Sequence, residues 1–228
     1  MSTKQEIFSL IGGRVKFKRG TYNPTSDAVW LAAFAASVDA KTILDVGIGT
    51  GGVSLCLSTH IPDAQITGLD ISVEMLNQCE QNAELNSTDI ELINTDIEQW
   101  RTNRTFDLVV TNPPYFYGTP AKHNAHHNAN LSKWVARCIA RVKPMGTFCI
   151  ITDASTVASV ISEMDKKLGD ITILPLFGTK NIAERVLISG RLGTKGISKI
   201  YNGIPMNYEP ILRDGLTIAD ILSRLGQK

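Results

Sequence analysis

The architecture turns on Thr42-Ile43-Leu44-Asp45-Val46-Gly47-Ile48-Gly49-Thr50-Gly51-Gly52. Thr42 to Val46 has the β-branched, apolar character of a buried strand, the glycines permit a tight reversal, and a helix follows at once. Outward from this unit the apolar period switches repeatedly between strand-like and helix-like. Further strands are predicted at Gln65 to Leu69, Ile90 to Asn94, Phe106 to Val110, Thr147 to Ile151, Ile171 to Leu174 and Arg185 to Ser189. Helices are predicted over 28–38, with Thr25 or Ser26 as N-cap and Asp27 near its positive end, and from Ser72 with Glu74 in the first turn. An amphipathic helix is expected from Leu131 to Arg141 and a short one from Ile218 to Leu225, and Lys143-Pro144-Met145-Gly146 reads as a turn. The stretch from Gly190 to Pro210 reads as loop or a small appendage. Short apolar strands alternating with helices predict an α/β chain, with a mostly parallel seven-stranded sheet covered by helices on both faces.

Composition excludes several classes. With 43% apolar and 20% charged residues the chain is of ordinary globular type. Cys56, Cys79, Cys138 and Cys149 form neither a CxxC pair nor a cluster, against a disulfide framework or a structural zinc site. The longest mostly apolar stretch, 28–38, is too short to cross a bilayer. No basic segment leads into an apolar one at the start, so a cytoplasmic location is expected. The net charge of +1 hides an asymmetry: from Ile43 to Trp100 there is no Lys or Arg and ten acids. Between Leu108 and Thr152 there is no acid, whereas Lys122, Lys133, Arg137, Arg141 and Lys143 are basic. Such segregation suits a cationic or neutral ligand at the first segment and a polyanion near the others.

Gly47-x-Gly49-x-x-Gly52 alone satisfies a general nucleotide-binding pattern. Asp45, two residues before the first glycine, repels a pyrophosphate but suits the ammonium and sulfonium end of S-adenosylmethionine. Asp70 ends the second strand and can accept from two ribose hydroxyls. Asp96 follows the third strand, where it can accept from an adenine amine. All three stand at the carboxyl ends of successive strands, where open α/β sheets bind ligands.

Asn112-Pro113-Pro114-Tyr115 directly after the fourth strand carries the most specific chemistry. An amine conjugated to a purine or a carbonyl is a poor nucleophile because its lone pair is delocalised. The Asn112 carboxamide oxygen and the Pro113 carbonyl can both accept N–H bonds from that amine, drawing it toward tetrahedral and aiming its lone pair at a methyl sulfonium carbon. Pro113 and Pro114 stiffen the turn, and Tyr115 offers a flat face for a planar target.

These residues together resemble the class I S-adenosylmethionine-dependent methyltransferases of planar amino nitrogens, and more closely the bacterial tRNA(Val) adenine N6-methyltransferase family. The family pattern includes Gly12 to Val15, Tyr22, Ser26 and Asp27, the pair Asn82 and Asn86, and Leu131 to Trp134. The chain departs from it at Ile48, where Cys or Ala is commoner, at Asp70, where Glu is frequent, and at Lys18-Arg19, where Gln is frequent. The resemblance implies a Rossmann-like methyltransferase fold and S-adenosyl-L-methionine as cofactor. It implies cofactor contacts at Asp45, Gly47, Gly49, Thr50, Gly51, Asp70, Ile71, Asp96, Ile97 and Asn112, and catalysis by Asn112, Pro113, Pro114 and Tyr115.

The expected activity is N6-methylation of an adenine in RNA, with tRNA foremost. A protein glutamine amide, rRNA guanine N2 and DNA adenine are alternative acceptors, and a non-catalytic RNA-binding module is the alternative of another class. Aromatics among bases suit single-stranded RNA, which makes Lys16, Lys18 and Arg19 candidate RNA contacts, joined by Lys122 and His123 in the segment after Tyr115. His123, His126 and His127 lack a clear fourth ligand, so neither a metal nor a membrane is expected as partner. Residues 1–40 are expected to cover substrate and cofactor, 41–190 to form the catalytic domain, and 191–228 to pack on it as an extension.

Overall fold

The computed structural model describes residues 6–113 and 124–224. A hairpin of β1 (Ile7–Leu10) and β2 (Val15–Lys18) forms a small antiparallel sheet of its own. Then follow α1 (Ser26–Ala35), β3 (Thr42–Val46), α2 (Gly52–Ser58), β4 (Gln65–Asp70), α3 (Val73–Leu85), β5 (Ile90–Asn94) and β6 (Phe106–Thr111). The second half comprises α4 (Asn124–Ile139), β7 (Val142–Asp153), α5 (Val157–Met164), β8 (Leu168–Phe177) and β9 (Ala183–Leu192). Two-residue strands β10 (Lys199–Ile200) and β11 (Ile204–Pro205) and the helices α6 (Glu209–Leu212) and α7 (Ile218–Arg224) close the chain. Among the described residues no helix is long and apolar enough to cross a membrane.

The main sheet runs β10-β8-β9-β7-β6-β3-β4-β5, with β11 also on β8. Only β9 runs antiparallel to its neighbours. The seven expected strands are therefore joined by two short ones from the stretch expected as loop, giving nine. The expected turn at 143–146 is instead a kink inside β7, where the register against β6 shifts and Met145 takes φ +67°. Lys143 holds this kink to the sheet by bonding Asp107 at 2.9 Å and the Thr42 hydroxyl at 3.0 Å. The β1–β2 hairpin was not expected, although Val15-Lys16-Phe17-Lys18 alternates with period two and buries Val15 and Phe17.

Alternation along the strands sorts two cores. Ile43, Ile66, Leu108 and Leu187 face α1, α2 and α7; Leu44, Val46, Val109 and Phe148 face α4 and α5. Every residue of α1 from Asp27 to Ala35 is buried, because α6 and α7 cover the side turned away from the sheet. Trp30 within it donates its indole N–H to the Met206 carbonyl at 3.1 Å, fastening the C-terminal segment.

Asp27, 5% exposed, does more than face a helix end. It accepts from Arg185 Nε at 3.1 Å, while Arg185 Nη1 reaches Asp153 at 3.1 Å, so one guanidinium ties α1 to β9 and β7. Removing one partner of a buried pair strands the other charge. Asp27→Ala is expected to cost about 2 kcal/mol or more in urea denaturation, and Asp153→Ala, whose carboxylate is half in water, below about 1 kcal/mol. Equal losses would show that burial does not set the value of this brace.

Candidate active site

The turn after β3 is tied to the neighbouring strand at one atom. The amides of Gly47 and Ile48 both donate to the Leu69 carbonyl, at 2.8 and 2.9 Å, carrying the glycine loop across the top of the sheet. Gly47 has φ +74° and Gly51 φ +89°, values that L side chains rarely adopt. A Cβ at Gly47 would come within 3.2 Å of the Trp134 ring, and one at Gly51 within 2.9 Å of Cys79 Sγ.

The loop roofs a cavity of about 380 Å³ at the carboxyl ends of β3 to β6. Val46, Gly47 and Gly49 form one wall and Leu69, Asp70 and Ile71 the next. Thr95 and Ile97 continue it, Met75 and Tyr22 close one side, and Asn112 and Trp134 stand opposite. Asp70 accepts from the Gly49 amide through Oδ2 and from the Ser72 amide through Oδ1, both at 2.9 Å, which fixes its carboxylate plane. Ile71 is 71% exposed at the rim, and Ile97 is buried behind it. Among the described lining residues Asp70 alone bears a charge, and no Lys or Arg faces the space.

Of the residues expected at the cofactor, Gly47, Gly49, Asp70, Ile71, Ile97 and Asn112 line this cavity; Asp45, Thr50, Gly51 and Asp96 do not. Asp45 shares the parity of Ile43, so its side chain turns toward α2 and is buried there, accepting from the Ser54 hydroxyl at 2.7 Å. Burial pushes its carboxyl up to about 7, against the pull of the Ser54 hydroxyl and amide, and the charge of Asp70 adds to the rise. Asp96 caps the turn after β5 by accepting from the Glu98 amide at 2.8 Å. Pro113 is buried beside Asn112. Pro114, Tyr115, Lys122 and His123 lie outside the described residues, as do the side chains of His126 and His127.

The three N-terminal bases stand away from the cavity. Lys16 is exposed, Lys18 Nζ lies 3.3 Å from the Gln81 carboxamide oxygen, and Arg19 pairs with Glu6 at 3.0 Å and sits over the Phe8 ring.

A family model described as the methyltransferase small domain matches residues 21–175. The chain belongs to the methyltransferase small domain family. A relative from Glaesserella parasuis, named tRNA1(Val) (adenine(37)-N6)-methyltransferase, is 35% identical over 101 residues, which cover 43% of each chain. A Bacteroides thetaiotaomicron relative of the same name is 34% identical, covering 60% of this chain and 64% of its own. One from a Flavobacteriaceae bacterium, also so named, is 27% identical and covers 76% and 78%. The matched stretch thus spans less than half of the Glaesserella protein. Among solved structures, a predicted O-methyltransferase from Agrobacterium tumefaciens superposes with TM-score 0.67 at 21% identity, over 88% of this chain and 96% of that one. The 16S rRNA N2 G1207 methyltransferase of T. thermophilus, solved with AdoMet and guanosine, gives 0.60 at 18% identity, over 82% and 50%. Both share the fold.

In this methyltransferase small domain, Thr111, with no role expected from the sequence, and Trp134 of the family pattern hold the Asn112 end of the cavity together. The buried Thr111 hydroxyl donates to the Val46 carbonyl at 2.8 Å and accepts from Trp134 Nε1 at 3.0 Å. The residue before Asn112 is thereby locked to the strand before Gly47, and the indole is locked over the loop. The sequence signals were a Thr following the apolar run Leu108-Val109-Val110 and Trp134 in the family pattern. Thr111→Val should remove a partner from the Val46 carbonyl and from the half-buried Trp134 N–H, cost about 1–2 kcal/mol, and change the tryptophan emission; an unchanged spectrum would mean that the hydroxyl does not hold the ring.

Asp45 gives the fold a pH dependence. Between its unfolded value of 3.8 and about 7 the native carboxyl stays protonated while the unfolded one ionises. The native state then binds more protons, so this contribution to stability is full below that window and falls as pH rises through it, by at most about 1.4 kcal/mol per pH unit. In urea titrations at pH 5 and pH 8, the wild type should lose stability relative to Asp45→Asn on going to the higher pH. No change between the two pH values would mean that Asp45 is ionised throughout.

Proposed function

We propose that this chain is an S-adenosylmethionine-dependent N-methyltransferase acting on the N6 amine of an adenine in RNA, with tRNA as the RNA and the cytoplasm as its place of work. One observation carries this: Asn112, with Pro113 behind it, stands in the wall of the same cavity as Gly47, Gly49 and Asp70. A cavity of about 380 Å³ is of the size that holds a nucleoside-like ligand. Its donors and acceptors fit S-adenosylmethionine. The Asp70 carboxylate retains lone pairs for ribose hydroxyls, Ile71 and Ile97 give a flat base an apolar flank, and the absence of Lys and Arg from the described lining favours a cation over a pyrophosphate. Bound there, it would supply a methyl group on an electrophilic sulfonium.

The chain's own residues would do the rest by orientation. The Asn112 carboxamide oxygen and the Pro113 carbonyl accept the two N–H bonds of the adenine amine and direct its lone pair inward. Pro114 stiffens that turn, and Tyr115 stacks on the extruded base. Asp45 acts from behind the glycine loop, Thr50 and Gly51 shape the loop itself, and Asp96 shapes the turn after β5. Lys16, Lys18, Arg19, Lys122 and His123 would contact RNA outside the cavity, with no metal required. Residues 1–40 would cover the site of the 41–190 catalytic unit, in keeping with Tyr22 in the cavity wall, and 191–228 would support it. The names of the Glaesserella and Bacteroides relatives favour adenine 37 of tRNA1(Val) as the target.

The test is methyl transfer from labelled S-adenosylmethionine to total RNA, free protein and DNA, followed by nucleoside analysis. N6-methyladenosine in the tRNA fraction is the expected product; label on protein glutamine, on rRNA guanine or on DNA would replace the acceptor. Asn112→Ala should bind cofactor nearly as the wild type does and turn over slower by a factor on the order of 10². Loss of cofactor binding in that variant would remove Asn112 from the amine-binding role.

A further inference from the structure

One face of α3 grips the N-terminal segment at four successive turns. Glu74 accepts from the Thr21 hydroxyl at 3.3 Å, and Gln78 donates to the carbonyls of Lys18 and Tyr22 at 3.3 and 3.2 Å. Asn82 accepts from the Lys18 amide at 2.9 Å. Asn86 accepts from the Lys16 amide at 2.8 Å and donates to its carbonyl at 2.7 Å. The spacing of four puts these side chains on one stripe of the helix. A carboxamide carries a donor and an acceptor like a peptide group, so the stripe stands in for a third strand along the open edge of β2.

Asn82 differs from its neighbours in the stripe. Its side chain is fully buried, and its Nδ2 donates to the Thr50 carbonyl of the glycine loop at 2.9 Å. One carboxamide therefore holds the hairpin edge with its oxygen and the glycine loop with its nitrogen. Asn86 touches the hairpin and its own helix, not the loop.

We infer that Asn82 is a positioning residue that couples docking of the β1–β2 hairpin to the shape of the cofactor loop, so that cofactor binding tightens the hairpin and hairpin docking raises cofactor affinity. The coupling is reciprocal because the same two bonds serve both events. It rests on the assignment of the cavity to S-adenosylmethionine made above.

The test uses the full chain with S-adenosylhomocysteine as probe, in calorimetry and in hydrogen exchange read at Lys16 and Lys18. Their amides do not line the cavity, yet in the wild type the probe should slow their exchange several-fold. Asn82→Ala should bind the probe roughly tenfold more weakly and lose this transmitted protection, while turnover at saturating cofactor stays within about twofold of wild type. Asn86→Ala, which also removes a carboxamide from β2, should keep affinity within about twofold, a contrast that a merely structural role would not produce. If Asn82→Ala does not fold, Asn82→Asp replaces it, since it keeps the acceptor for Lys18 and loses the donor to Thr50. Absence of probe binding by the wild type would overturn the cofactor assignment and this coupling with it. Tight binding with unchanged hairpin exchange, or protection persisting in the Asn82 variant through Gln78 and Tyr22, would overturn the coupling alone.

Discussion

Two amides converge on the Leu69 carbonyl, and the geometry of the site rests on that convergence. A chain leaving β3 has to reverse above the sheet, and every peptide group it exposes there must find a partner. Gly47 and Ile48 both find theirs on β4, Gly49 finds the Asp70 carboxylate, and Thr50 finds Asn82. The loop is thus stitched to β4 and α3 without using the space in front of it. What is left open is a cavity walled by backbone, apolar side chains, two aromatic rings, Thr95 and Asn112, with Asp70 as the one acid of the described lining, an environment that discriminates by shape and by the sign of charge.

Much of this was readable from the residues. The central strands β3 and β6 announced themselves because burial on both faces demands apolar runs, the outer ones by shorter apolar segments between turns, and the glycine loop because only glycine takes those φ values cheaply. Asp45 was visible as an acid at a strand end, but its direction was misjudged. Parity with Ile43 turns it toward α2, whereas Val46, one residue later, faces the cavity. The β1–β2 hairpin was hidden because Lys16, Lys18 and Arg19 draw attention as charges. The backbone of Lys16 and Lys18, taken up by side chains of α3 and its C-cap, matters to the fold as much as their side chains. The Thr111 and Trp134 contact was only half visible: Trp134 stood in the family pattern, but its partner on β6 lies 23 residues away in sequence.

Charge asymmetry was a partial guide. Of the ten acids between Ile43 and Trp100, Asp70 faces the cavity and Asp45 is buried behind it. Others serve the scaffold: Glu91 pairs with Arg104 at 2.7 Å, and Glu74 takes the Thr21 hydroxyl. Arg19 on the basic side is likewise paired with Glu6. A charge run therefore reports a bias of the surface, while the one carboxylate that faces the cavity is set by its place at a strand end and by the amides that hold it.

The three indoles occupy three different environments. Trp30 is sealed inside α1, Trp100 lies beneath the Arg141 guanidinium, and Trp134 alone borders the cavity with its ring against the glycine loop. A purine arriving in that space meets a chromophore already in place. The protein consequently carries its own optical gauge of occupancy, and quenching of one intrinsic fluorophore can follow ligand arrival in real time without any label attached.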